Sequence, residues 1–284
     1  MKIGRSAGRV RPERAFNYNG AVGTWWRERA ADGPHRRAYA NIANFIRNSI
    51  RHDPRLIVDY ACGAGNLLSL LCRRFPHSRL AGLDGSSLLL SLAEERLSRL
   101  SPSFARRISL IETSLPGPAP FRQRADLIIF CFPNMMPSRS REKTRGPAFR
   151  LSERDTLIAK SLSKSIEHEA DCDDVLSPHA IRRALEYGRL VSKNLRRLLI
   201  PGGICVRVEY ATTRRHEWSP LELLCVSFEE GSLDTAVNGI RSRPWFHMLA
   251  SAYFRSRVLE DVFQQTGDEL DRGGGYLITV LRAV

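Results

Sequence analysis

Residues 56–71 read LIVDYACGAGNLLSLL. An apolar run, Leu56 to Val58, ends in an acid at Asp59. A turn of small residues follows, with Gly63 and Gly65, and a second apolar run opens at Leu67. A short apolar run bounded by glycine reads as a strand, and the longer run behind it as a helix. Glycine lets a backbone bend tightly and approach a ligand that a Cβ would exclude. A strand, a glycine loop and a helix in that order are a general design for nucleotide-like cofactors, because helix N-terminal amides face the ligand. Taken alone, the pattern does not choose among such cofactors.

The next element narrows the choice. Residues 80–87 read LAGLDGSS, which places Asp84 at the carboxyl end of a second strand. An acid at this distance downstream of a glycine turn is positioned to meet ribose hydroxyls. A carboxylate there can accept hydrogen bonds from both hydroxyls of one sugar. Asp84, Ser86 or Ser87 can also cap the helix that follows, and the two roles are compatible.

Outward from this pair, strand and helix signals alternate. Residues 55–60, 79–85, 107–113, 125–132, 203–211 and 275–284 read as strands, and residues 66–75, 87–100, 179–199 and 255–267 as helices. The helix over 179–199 is expected to end at Pro201 and its two glycines. Near-continuous apolar strands alternating with helices predict an α/β fold with a mostly parallel sheet covered on both faces. Two stretches break the rhythm, at about 137–178 and 212–250. They read as insertions beyond the carboxyl ends of the strands, where open α/β sheets bind ligands. Residues 1–50 form a separate N-terminal unit. Residues 34–50 place Ala38, Ile42, Phe45, Ile46 and Ile50 on one face of a helix. The stretch before it carries Phe16, Tyr18, Trp25 and Trp26 among glycines, and aromatics in such a segment need something to cover.

Composition bounds the rest. With 284 residues, 43% hydrophobic and 26% charged, the chain is an ordinary globular one. No run approaches the roughly 20 apolar residues of a membrane span, and the basic N-terminus has no apolar stretch behind it. A cytoplasmic protein is expected. The net charge of +14 is spread through the chain and interleaved with acids, so a small-molecule partner is favoured over nucleic acid. The six cysteines form no CxxC pair, so neither a metal site nor a disulfide framework is expected.

VDYACGAGN at 58–66 followed by LAGLDGSS at 80–87 resembles the first two motifs of the class I S-adenosylmethionine-dependent methyltransferases. LLIPGG at 198–203, before ICVRVEY, resembles that family's turn ahead of its fifth strand. The resemblance implies a Rossmann-like fold with a seven-stranded, mostly parallel sheet over residues 51–284, with residues 1–50 as a lid and helix. It implies S-adenosylmethionine as cofactor. Asp59 and the backbone of Ala61 to Gly65 would hold its methionine part and Asp84 the ribose, with Gly85 and Ser86 also among the cofactor-binding residues. At the end of the third strand the family often sets an acid against adenine. Here Thr113 and Ser114 stand there, so a hydroxyl or backbone amide would serve. The fourth strand ends FCFPNMMP at 130–137, a segment that borders the sulfonium and substrate in the family, which brings in Phe130 and Asn134. The Asn/Asp-Pro-Pro-aromatic box of amine-methylating members is not matched. Tyr18, Trp25 and Trp26 would close over the cationic sulfur, since an aromatic face stabilises a cation.

Asn134 and Tyr18 are the catalytic candidates. Tyr187, Glu209 and the scattered histidines read as structural. The expected activity is methyl transfer to a small molecule. The alternative is a cyclising enzyme of the same fold that makes azetidine-2-carboxylate and methylthioadenosine from S-adenosylmethionine alone. No membrane or nucleic-acid partner is expected, and a homodimer stays open.

Overall fold

The computed structural model describes residues 4–5, 19, 24, 27–28, 30–31, 33–50, 52–113, 123–132, 193–211, 246–256, 258 and 275–284. Among these, eight strands form one sheet: β1 (Gly4–Arg5), β2 (Leu56–Tyr60), β3 (Arg79–Asp84), β4 (Ile108–Glu112), β5 (Ala125–Cys131), β6 (Leu199–Ala211), β7 (Phe246–Arg255) and β8 (Gly275–Ala283). The helices are α1 (Gly33–Ser49), α2 (Asn66–Arg74), α3 (Ser87–Ser98) and the short α4 (Pro102–Ala105).

The strand order is β1-β4-β3-β2-β5-β6-β8-β7. Pairing is parallel from β1 through β6, and β8 runs antiparallel to both its neighbours. The expected mostly parallel, Rossmann-like sheet is therefore present, with seven full strands and the two-residue β1 added at one edge. The order reverses at β2, with β3 on one side and β5 on the other. In open α/β sheets ligands bind at the carboxyl ends of the strands beside such a reversal, and here Asp59 and the glycine turn lie there.

Two apolar layers enclose the sheet. One packs α1, α2 and α3 against Ile57, Leu80, Leu110, Leu127, Ile129 and Val206. The other gathers Leu56, Val58, Tyr60, Leu83, Ile128 and Phe130 with Leu195 and Leu198. Strands buried on both faces favour apolar side chains at successive positions, which is why β2 opens with the run Leu56–Val58 and the buried acid Asp59 stands out in it. In α1, Ala38, Ile42 and Ile46 are buried as the periodicity predicts, and His35 joins them.

Three boundaries differ from the sequence reading. The helix before β6 stops at residue 198, and Pro201, Gly202 and Gly203 lie within the β6 span. Gly202 takes a positive φ of 73° there, and the pairing with β5 shifts register between Ala125 and Leu127. Residues 246–250, assigned to an insertion, form the first half of β7 instead. Residue 255, read as a helix start, ends the same strand. The remainder of both insertions, most of the helix at 179–199 and all but three residues of the helix at 255–267 lie outside the described residues.

Candidate functional site

The turn after β2 is held in an unusual backbone conformation. Ala61, Gly63 and Gly65 all have positive φ, at 67°, 51° and 72°. Glycine adopts this region freely, whereas alanine does so at a cost of about 1–2 kcal/mol. Strain of this kind persists only where the surroundings impose it, and it concentrates at functional sites. The surroundings are visible. Cys62 donates its backbone N–H to Leu83 O at 2.9 Å, and Gly65 donates to Cys62 O at 3.0 Å. Arg96 of α3 reaches back to donate to Ala64 O at 3.0 Å.

Two glycines near the turn have a steric reason. A Cβ on Gly65 would stand 3.0 Å from Ala93 Cβ, so this glycine lets α3 close on the turn. A Cβ on Gly82 of β3 would stand 2.8 Å from Cys62 Sγ and 2.9 Å from side-chain atoms of Leu68 and Leu110. Gly63 differs, because a Cβ there would meet nothing within 4 Å. The turn therefore presents bare backbone at Gly63 to open space, which is the form of a ligand cradle.

Asp84 closes the other side. Its Oδ2 accepts the Gly63 N–H at 2.8 Å and its Oδ1 accepts the Ser86 N–H at 2.9 Å. Each carboxylate oxygen keeps a further lone pair for a ligand donor. Burial raises the Asp84 pKa, and backbone hydrogen bonds from Ser86, Gly63 and Gly85 act against that. The helix cap is a separate residue. Ser86 Oγ accepts from Leu89 N at 3.2 Å as the N-cap of α3, so Asp84 is not held in place by capping duty. Gly85 is exposed beside it.

Asp59 is buried at the end of β2, and its Oδ2 has no hydrogen-bond partner among the described residues. Desolvation, followed by the negative charge of Asp84, pushes its pKa up to about 7. Burial also raises the Cys62 and Cys131 thiols, with Asp59 adding to both shifts. Two carboxyls and two neutral thiols thus crowd the carboxyl ends of β2, β3 and β5. A cation placed there would relieve the repulsion between the two acids.

Thr113 follows β4 and donates its N–H to Asp84 O at 2.9 Å. Glu112, which the sequence reading passed over, is the register partner of Asp84. Phe130 is buried in the second apolar layer, with its ring 5.5 Å from that of Tyr60 and the Arg207 guanidinium above it. Glu209 is buried too and pairs with Arg207, two residues before it on β6. Phe132, the residue after β5, takes a positive φ of 46°. Its ring is packed edge-on by His35, Tyr39 and Tyr276, at 5.8–5.9 Å. Phe132 N–H donates to Val208 O at 2.8 Å. Tyr18, Trp25, Ser114, Asn134 and Tyr187 lie outside the described residues. Asn19, which no sequence signal singled out, is described, and its side chain contacts the start of α3.

Among the described residues no helix is long and apolar enough to cross a membrane. Residues 57–155 match the family model of a methyltransferase domain. A trans-aconitate 2-methyltransferase from Acidovorax sp. (strain JS42) is 54% identical over 44 residues, 16% of this chain and 17% of that protein. Another from Methylobacterium radiotolerans is 44% identical over 52 residues, 18% of this chain and 20% of that protein. The chain thus matches only about a fifth or less of the length of these relatives. Among solved structures, magnesium protoporphyrin IX methyltransferase from Synechocystis PCC 6803 with bound SAH superposes with a TM-score of 0.51. It is 12% identical and covers 94% of this chain and 96% of its own. That likeness establishes the fold.

Proposed function

We propose that this chain, a class I S-adenosylmethionine-dependent methyltransferase by its matched domain and its sheet order, transfers a methyl group to a small-molecule acceptor. The observation that carries the reading is the cradle between Gly63 and Asp84, at the point where the strand order reverses. Its chemistry fits the cofactor on three counts. Bare backbone at Gly63 admits a ligand where a side chain would not. Asp84 is fixed by two backbone donors and retains lone pairs for ribose hydroxyls. Asp59 and Asp84 offer negative charge to a cationic amino acid moiety.

Residues 59–65 would hold the methionine part and residues 84–86 the ribose, with Thr113 and Ser114 beside the base. S-adenosylmethionine supplies an activated methyl on a positive sulfur. The protein's task is then to position the acceptor and take its proton. Asn134, two residues beyond Phe132, is the proposed contact to the reacting groups. Tyr18 and Trp25 are proposed as parts of a lid that covers the sulfur and excludes water. Phe130, packed against Tyr60 beneath Arg207, supports the floor of the site from the core side.

The names of the relatives and structural neighbours give no support to the cyclising alternative. The name shared by the trans-aconitate 2-methyltransferases makes small carboxylic acids the first acceptors to try. The deciding experiment is incubation with S-adenosylmethionine, with and without a panel of acids, amines and phenols, followed by mass spectrometry. S-adenosylhomocysteine that appears only with an acceptor supports methyl transfer. Methylthioadenosine formed without any acceptor sinks it in favour of cyclisation or lysis.

A further inference from the structure

One side-chain oxygen from the N-terminal segment gathers three hydrogen bonds from the residues just after Asp84. Asn19 Oδ1 accepts from Ser86 Oγ at 3.0 Å, Leu88 N at 3.1 Å and Ser87 Oγ at 3.2 Å. The partners lie 67 to 69 residues away in sequence. Ser86 is already the N-cap of α3, through Leu89 N. Its hydroxyl has one proton and can rotate, so donating that proton to Asn19 turns a lone pair toward Leu89. Fixing the Ser86 side chain also fixes its backbone, whose N–H donates to Asp84 Oδ1. The other oxygen of Asp84 holds Gly63 N. A continuous chain of hydrogen bonds therefore runs from Asn19 through Ser86 and Asp84 to the glycine turn.

We infer that Asn19 is a positioning residue for the cofactor site: its side-chain carbonyl ties the N-terminal segment to the start of α3 and holds Ser86 and Asp84 where ribose hydroxyls are received. The inference rests on the S-adenosylmethionine reading above. It gives the N-terminal segment a defined point of attachment, on the helix that follows the ribose carboxylate. It also explains why two adjacent serines follow Asp84. One caps the helix, and both point hydroxyls at the same acceptor.

The test compares the parent, Asn19→Ala and Asn19→Asp in the full chain. Two readouts are used: calorimetric titration with S-adenosylmethionine, and amide hydrogen exchange without ligand. Asn19→Ala should bind the cofactor about fivefold to tenfold more weakly, the worth of one or two net hydrogen bonds. Its Ser86 and Gly63 amides should exchange faster. Asn19→Asp keeps the acceptor and adds negative charge at a helix N-terminus, so it should bind like the parent. The inference is overturned if Asn19→Ala binds like the parent, or if Asn19→Asp is as weak as Asn19→Ala. It is also overturned if only the Leu88 and Leu89 amides lose protection, since Asn19 would then be a helix cap and nothing more. A parent that does not bind at all overturns the cofactor reading and this inference with it, and is thereby distinct from failure of the variants.

Discussion

Gly63 donates its backbone N–H to Asp84 Oδ2 at 2.8 Å, across the carboxyl ends of two adjacent strands. The acid that ends β3 therefore shapes the turn that follows β2, before any ligand is present. A ligand touching one of the two residues is sensed by the other. Asp84→Ala removes the turn's anchor and, with it, the acceptor proposed for the sugar. Hydrogen bonds to a charged group are worth roughly 1.5–3 kcal/mol each, so the variant should bind the cofactor at least a hundredfold more weakly. Calorimetry checks this, and parent-like affinity would remove Asp84 from the site.

The glycines of the turn should separate by role. Gly63→Ala adds a Cβ to open space and costs only the strain of a positive φ, about 1–2 kcal/mol. It should fold, and yet lose cofactor binding, because the methyl group occupies the cradle. Gly82→Ala instead drives a Cβ to within 2.8 Å of Cys62 Sγ. Overpacking of this kind costs typically 1–3 kcal/mol, so that variant should show a lowered urea midpoint before any binding is measured.

Asp59 predicts a pH dependence of stability. Its folded pKa, about 7, stands above its ordinary value of 3.8. The folded state therefore holds the proton more tightly than the unfolded chain does. The stability this provides is fully present below pH 4 and is lost as pH rises through 7. Asp59→Asn should remove that loss and so gain stability relative to the parent at pH 8, by on the order of 4 kcal/mol, with a smaller gain at pH 5. Urea unfolding of both proteins at the two pH values reads the difference, and parallel curves would contradict it.

The cofactor's positive charge should expel the same proton. At pH 6.5 the parent should release protons on binding S-adenosylmethionine, seen as a dependence of the calorimetric heat on the buffer's ionisation enthalpy. Asp59→Asn should show markedly less.

The N-terminal segment is testable by deletion. Removing residues 1–30 takes away Asn19 and the proposed lid, while α1 starts only at Gly33. Turnover should be abolished while cooperative unfolding is retained. Turnover at the parent rate would eliminate the lid.

What the sequence revealed of this fold follows from burial. β2, β3 and β5 are covered on both faces along most of their length, so each carries a short apolar run, Leu56–Val58, Leu80–Leu83 and Leu127–Cys131, that announces it. β7 was hidden because it is an edge strand. Met248, Leu249 and Tyr253 are exposed there, and residues 246–255 show neither a strict alternation nor a continuous apolar run. β1 has only two residues and is defined by its pairing with β4, which no local pattern encodes. In the site, Gly63 and Asp84 were legible because glycine and an acid at that spacing have a chemical reason to be there. The positive φ of Ala61 was not, since alanine carries no preference for it. Neither was Asn19, whose contacts span more than 65 residues and depend on the folded chain.

The central claim is that the cradle between Gly63 and Asp84 binds S-adenosylmethionine. Titration of the purified protein with the cofactor in a calorimeter tests it directly. The account predicts saturable heat with a dissociation constant in the micromolar range, around −8 kcal/mol, and near-complete loss in Asp84→Ala. No heat and no thermal shift with the cofactor or S-adenosylhomocysteine would contradict it.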